Sequence, residues 1–243
     1  MRSVEELALE TSGGDKATAI ASLRPEEVFE ERFRGLVHED DWVLDAGCGS
    51  GKFAARRLRG INYFLTGIDV CETLRQNRQV DSRVGGSVSS LPFADSSFDV
   101  IYGRWLVEHL ENPVVAMREF YRVLRPGGRV AIFTTNLLHY YGGAAKVTPH
   151  WFHMWFNRRR GFTEDDIFPT YYRANTRRRL GELLREAGFP RKNVEIELVE
   201  GVPSVLSFNS VLHRLGMGYE YLVKRFEGLA AFRMNLIAIA RKE

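Results

Sequence analysis

The sequence predicts an α/β fold in which a parallel β-sheet carries helices on both faces. Three observations predict it. Short apolar runs alternate with amphipathic stretches between Trp42 and Thr134, the pattern of βαβ units. The first run stops at Asp45-Ala46-Gly47-Cys48-Gly49-Ser50-Gly51, a buried strand entering a tight glycine turn. A second run ends in Gly67-Ile68-Asp69-Val70, at a distance that fits one intervening helix.

Residues 1 to about 22 lack periodicity and read as an arm. Pro25 suits the first turn of a helix that continues through Val28, Phe29, Arg32, Phe33 and Leu36. Trp42 to Asp45 is the first strand, and Lys52 to Leu58 the helix opened by the glycine turn. Tyr63 to Ile68 forms the second strand, with a helix within Glu72 to Gln79 and a short third strand at Arg83 to Gly85. Phe98 to Tyr102 is the fourth. The helix from Pro113 to Leu124 presents Val114, Met117, Phe120, Tyr121 and Leu124 on one face and is stopped by Arg125-Pro126-Gly127-Gly128. Arg129 to Thr134 is the fifth strand.

After Thr134 the alternation breaks. Residues 136–172 are rich in aromatics and show no βα pattern, so this segment is expected to be a lid insertion. A helix resumes over Thr176 to Ala187 with Gly188 as its C′ residue. Val194 to Val199 and Asn235 to Ala240 read as closing strands. Between them lies a helical insertion, 201–231, with an apolar stripe from Leu212 to Leu229 that suits a packed helix better than a membrane anchor. The organisation is thus one domain over 1–243, with an arm and helix at 1–38.

At 243 residues, 44% hydrophobic and 27% charged, the chain has the composition of a globular domain. The sequence contains no uninterrupted run of about 18 apolar residues, the length a spanning helix needs. The acidic start, Met1-Arg2-Ser3-Val4-Glu5-Glu6-Leu7, does not resemble a signal peptide, so the cytoplasm is the expected location. Cys48 and Cys71 suit free thiols, and no Cys/His spacing signals a metal. The net charge of +3 is too small to mark a nucleic-acid surface, although Arg158-Arg159-Arg160 and Arg177-Arg178-Arg179 cluster.

The glycine turn and the acidic end of the second strand read together as a nucleotide-cofactor site, with glycines allowing close backbone approach and a carboxylate for ribose hydroxyls. Further blocks follow in order. They are Leu91-Pro92-Phe93-Ala94-Asp95-Ser96-Ser97-Phe98-Asp99, Val107-Glu108-His109-Leu110 and Arg122-Val123-Leu124-Arg125-Pro126-Gly127-Gly128. Over residues of about 40 to 135 the chain resembles the class I S-adenosylmethionine-dependent methyltransferases, in particular their type 11-like branch. The resemblance implies a Rossmann-like seven-stranded sheet of order 3-2-1-4-5-7-6 with strand 7 antiparallel, and S-adenosylmethionine as cofactor at the carboxyl ends of the strands. It implies that Asp45, Gly47, Gly49 and Gly51 hold the methionine part, that Asp69 holds the ribose, and that Val70 packs on the adenine. Ser87 and Val88 occupy the place that reads the adenine edge, and Arg104 joins the cofactor-binding set. Relatives often carry Asp where this chain has Ser87, and a neutral acceptor there is weaker.

An aromatic roof over the carboxyl edge suits a small acceptor, and the leading expectation is O-methylation of a sugar-containing or other specialised metabolite. A hydroxyl acceptor benefits from a base. His139, His150 and His153 fall in the roof segment as candidate bases, with Tyr140 and Tyr141 as acceptor-positioning groups and His109, Tyr140 or positioning alone as the alternatives. RNA methylation through the arginine clusters, protein methylation in an open groove, and a family member that binds the cofactor without transferring a methyl group remain open alternatives.

Overall fold

The computed structural model describes residues 24–51, 58, 60–148, 168–201, 206 and 208–243. Seven strands form one sheet: β1 (Trp42–Ala46), β2 (Phe64–Asp69), β3 (Ser82–Gly85), β4 (Phe98–Arg104), β5 (Leu124–Thr135), β6 (Val194–Val199) and β7 (Asn235–Arg241). Their order is β3-β2-β1-β4-β5-β7-β6. β1 to β5 pair in parallel, and β7 runs antiparallel between β5 and β6. Among the described residues five α-helices accompany them: α1 (Pro25–Arg34), α2 (Pro113–Val123), α3 (Tyr140–Val147), α4 (Arg177–Glu186) and α5 (Ser210–Arg225).

Successive strand residues point to opposite faces, and both faces here are apolar. Leu44, Ile101, Val130 and Ile132 pack with Met117 and Phe120 of α2 and with Leu180, Leu183 and Leu184 of α4. Their neighbours Val43, Val100, Tyr102, Ala131 and Phe133 pack on the other face with Phe29 and Phe33 of α1. Burial on both sides is what a parallel sheet requires.

The paired sequence blocks have a common anchor. The Arg122 guanidinium donates to the carbonyls of Leu91 (3.0 Å) and Phe93 (2.8 Å) and to the Asp95 carboxylate (2.8 Å). Glu119 in turn accepts from Arg122 and from the Leu91 N–H (2.7 Å), and Arg122 holds the Glu119 carboxyl below its usual range. The segment before β4 is thereby fastened to the end of α2.

Three expected elements differ. The stretch after β2 forms only a short 3-10 turn, Glu72–Gln76. α2 ends at Val123, and Leu124 already pairs with Phe98, so Arg125-Pro126-Gly127-Gly128 lies within β5 beside a register shift rather than in a loop. Asn136 does not belong to a lid: its buried side chain donates to the carbonyls of Ala231 (2.8 Å) and Arg233 (2.7 Å), tying the end of β5 to the start of β7. The arm, most of the helix expected at Lys52 to Leu58, and residues 149–167 of the expected lid lie outside the described residues.

Candidate active site

All parallel strands deliver their carboxyl ends to one edge, and the expected cofactor residues gather there. Asp69 ends β2, and both of its carboxylate oxygens are engaged by backbone. The Gly49 N–H donates to Oδ2 (2.8 Å) and the Cys71 N–H to Oδ1 (2.9 Å). Asp69 therefore fixes the glycine turn as well as facing outward, and each oxygen keeps a further lone pair for a ribose hydroxyl. Next to it Val70 is 70% exposed, an aliphatic side chain offered to a planar ring.

The glycine turn has an open and a closed side. A Cβ on Gly49 (φ +48°) would meet no heavy atom of the described residues within 4 Å, leaving space over the turn for a ligand. A Cβ on Gly51 (φ +84°) would lie 2.6 Å from Asn77 Oδ1. Asn77 is fully buried and donates to the carbonyls of Cys48 and Gly49 (3.2 Å each), while Gln79 donates to that of Gly51 (2.9 Å). These two amides are functional supports that sequence reasoning missed. They sit 28 or 29 residues from the turn with no pattern marking them.

Asp45, at the end of β1, is buried and accepts from the Tyr102 hydroxyl at 2.6 Å. Burial pushes its carboxyl up to about 7, against the pull of the Tyr102 hydrogen bond and of Arg104. Arg104 lies in the same layer, its guanidinium over the rings of Phe29 and Phe133 and 3.6 Å from Glu30. Its buried Nε has no hydrogen-bond partner among the described residues. A buried carboxylate favouring a cation, an under-satisfied guanidinium and the space over Gly49 fit the ammonium and carboxylate of an amino-acid moiety.

The two positions expected at the adenine edge, Ser87 and Val88, offer different groups. The Val88 side chain is packed in the core with Ile68 and Leu91, so only its backbone could meet an adenine edge. The Ser87 hydroxyl accepts from the Ser89 N–H (3.2 Å), within its own loop.

The neighbouring part of the edge is built from buried polar groups. Asn175 donates to Thr134 Oγ1 (2.7 Å), which donates to Glu108 Oε2 (2.9 Å). Burial raises the Glu108 carboxyl. The Glu108 carbonyl accepts from the N–H groups of Tyr171 (2.7 Å) and Tyr172 (3.2 Å), fastening the backbone of those two residues to the turn after β4. Burial pushes the Tyr172 phenol up to about 12.

The histidine expectations divide. His139 is fully buried and is not placed to act as a base: Nδ1 accepts from the Tyr141 N–H (3.2 Å), capping α3, and Nε2 is 2.9 Å from Glu220 Oε1 on α5. With Nδ1 accepting, Nε2 carries the proton and donates to Glu220, so neither nitrogen is left for an acceptor hydroxyl. His150 and His153 lie outside the described residues. His109 has Nδ1 2.9 Å from the Pro169 carbonyl, which can only accept. That bond places the proton on Nδ1 and leaves Nε2 as the basic nitrogen. Tyr140 stacks near His139 and Tyr219, and its hydroxyl and Glu220 Oε2 are buried with no hydrogen-bond partner among the described residues.

The profile of a methyltransferase-domain family matches residues 44–132. The malonyl-[acyl-carrier protein] O-methyltransferase of Erwinia pyrifoliae is 39% identical over 97 residues, 38% of this chain and 36% of that protein. The 27-O-demethylrifamycin SV methyltransferase of Amycolatopsis mediterranei is 36% identical over 114 residues, 42% of each chain. The chain thus spans less than half the length of these two relatives. A protein of Mycolicibacterium smegmatis, named as a probable S-adenosylmethionine-dependent methyltransferase, is 32% identical over 201 residues, 72% of this chain and 69% of that one. Among solved structures, the [4+2]-cyclase SpnF superposes with a TM-score of 0.55 at 21% identity, covering 89% of this chain and 79% of that one, a likeness of fold alone. With the strand order, the glycine turn and Asp69 in place, and with a relative matched along most of its length, the chain belongs to the class I S-adenosylmethionine-dependent methyltransferases.

Proposed function

We propose that this chain methylates a hydroxyl of a small organic acceptor, a sugar-containing or other specialised metabolite. Bound S-adenosylmethionine supplies an electrophilic methyl group on its sulfonium. Asp69 and Val70 hold the nucleoside, and Asp45, the glycine turn and Arg104 hold the amino-acid end. Glu108, Thr134 and Asn175 fix the backbone of Tyr171 and Tyr172 beside the acceptor. His109 Nε2 takes the hydroxyl proton while its Nδ1–H stays on the Pro169 carbonyl, with His150 and His153 as the competing bases.

The observation that carries this reading is the buried His139–Glu220 pair. It joins the segment after β5 to the insertion between β6 and β7 at the carboxyl edge, and two insertions joined there can enclose an acceptor where an RNA or protein substrate would need an open groove. Two relatives named as methylating oxygen or a specialised metabolite support the same reading. The RNA alternative loses part of its motive, since Arg178 is paired with Glu182 (2.8 Å) and Arg179 with Glu186 (3.1 Å). Transfer of tritiated methyl to fractionated small molecules, RNA and protein tests the reading. Label in an alkali-stable ether of a small molecule is expected, and label in RNA or protein alone would overturn it.

A further inference from the structure

α5 carries its apolar residues on the wrong side for a helix that serves only the core. Gly216, Glu220 and Val223 are buried and define its inner face. At 100° per residue, Arg214 and Arg225 lie opposite them, and Val211, Leu215 and Leu222, which are 56%, 66% and 47% exposed, form a strip along one flank of that outer face. Phe226, 52% exposed, extends this strip past the helix end. Arg214 and Arg225 run alongside it, and the Arg225 guanidinium lies 5.7 Å from the Phe226 ring centroid.

The charges select the partner. The single carboxylate of the helix, Glu220, is turned inward onto His139. The outer face therefore combines aliphatic side chains with arginines and no acid. A second copy docking by two-fold symmetry would bring those arginines together. A sheet of negative charge over hydrocarbon satisfies both halves of the face at once. An amphipathic helix with cations beside its apolar strip is the form that lies in a membrane interface.

We propose that α5 docks this protein on an anionic lipid surface, with Val211, Leu215, Leu222 and Phe226 entering the acyl boundary and Arg214 and Arg225 on the headgroups. The helix lies along the plane and does not span it; among the described residues no helix is long and apolar enough to cross a membrane. α5 belongs to the connection from β6 to β7, which emerges at the carboxyl edge. The inner face of the same helix holds His139 through Glu220, so docking of the outer face would orient the segment after β5 relative to the membrane. The docking does not depend on which acceptor is methylated.

Flotation of the full chain with vesicles of phosphatidylcholine, with and without phosphatidylglycerol, tests this. The protein should float with the anionic vesicles, more weakly with the neutral ones, and less as salt is raised. Leu215→Glu with Leu222→Glu should lower binding to both kinds by about tenfold or more. Arg214→Gln with Arg225→Gln should lower binding to the anionic vesicles by about tenfold and leave the neutral ones nearly unchanged. Both double variants change exposed positions, and an unaltered melting temperature and S-adenosylmethionine affinity would show that the fold is retained. Absence of flotation, flotation indifferent to the leucine changes, or a concentration-dependent dimer that those changes dissolve would each overturn the proposal. The last outcome would assign the face to a second copy.

Discussion

The two halves of the carboxyl edge are built differently. On the cofactor side the pieces are close in sequence: Gly49 and Asp69 are 20 residues apart, Asn77 and Gly49 28. On the acceptor side the decisive bonds are distant: His139 to Glu220 spans 81 residues and Asn136 to Arg233 spans 97. The first half is a set of backbone amides and carbonyls held by a few side chains. The second is a set of side chains holding two insertions together. Damage to one half should therefore leave the other half's function measurable.

Gly51→Ala should do the largest damage on the cofactor side. The new Cβ would sit at positive φ, a strain of about 1–2 kcal/mol, and would strike Asn77, an overpacking of about 1–3 kcal/mol. We expect about 3 kcal/mol of lost stability and no measurable cofactor binding. Gly49→Ala has the same backbone penalty with nothing to strike, so about 1 kcal/mol is expected from denaturation. Its Cβ still intrudes on the open side, and calorimetry with S-adenosylmethionine should show that loss. Equal destabilisation by both would mean that Asn77 does not close the turn.

His139→Ala should strike the acceptor side. It removes a helix cap, about 1 kcal/mol, and strands Glu220 without its donor, about 1–3 kcal/mol. Turnover should collapse while cofactor affinity stays within a few fold. Glu220→Gln keeps an acceptor oxygen toward Nε2 and should be milder in both assays. If His139→Ala instead folds normally and loses only turnover, with the loss tracking pH, then His139 is a base after all and its buried pairing opens during the reaction.

Asp69→Ala is expected to weaken S-adenosylmethionine by about 1.5–3 kcal/mol, the range for hydrogen bonds to a charged group. The carboxylate also anchors the Gly49 and Cys71 amides, so the alanine variant should loosen the turn. Asp69→Asn keeps one acceptor oxygen and should lose less. Calorimetry showing both variants unchanged would remove Asp69 from the site.

This contrast also explains which parts could be read from the chain. The glycine turn and the acidic end of β2 were legible because local backbone demands restrict the residue types directly, whereas the strand order came through the resemblance of the whole run of blocks to a known family. The blocks around Leu91 and Arg122 were legible as markers, and the reason they travel together is visible only in three dimensions, where one guanidinium holds both. Asn77 and Gln79 were invisible, since a buried amide supporting a distant turn has no period or neighbour to betray it. His139 was misread because an aromatic, histidine-bearing segment looks the same whether its imidazole faces a ligand or caps a helix. The partner that decides, Glu220, lies on another insertion.

A modest effect is expected on pH, and it separates the halves most cleanly. Without a ligand, burial holds the Asp45 carboxyl at about 7, above its value of 3.8 in an unfolded chain. Between those values the folded state binds the extra proton, so this group's contribution to stability falls as pH rises from about 4 to about 7. The ammonium of the cofactor favours the carboxylate, which reverses the preference on binding. Affinity for S-adenosylmethionine should therefore drop about tenfold from pH 8 to pH 6, and binding at pH 6 should release close to one proton. Calorimetry in buffers of different ionisation enthalpy measures that proton directly. Asp45→Asn retains an acceptor for Tyr102 and should flatten the profile, with weaker binding at pH 8. A profile that survives this change would place the titrating group elsewhere, and a profile that His109→Ala alone removes would place it on the acceptor side.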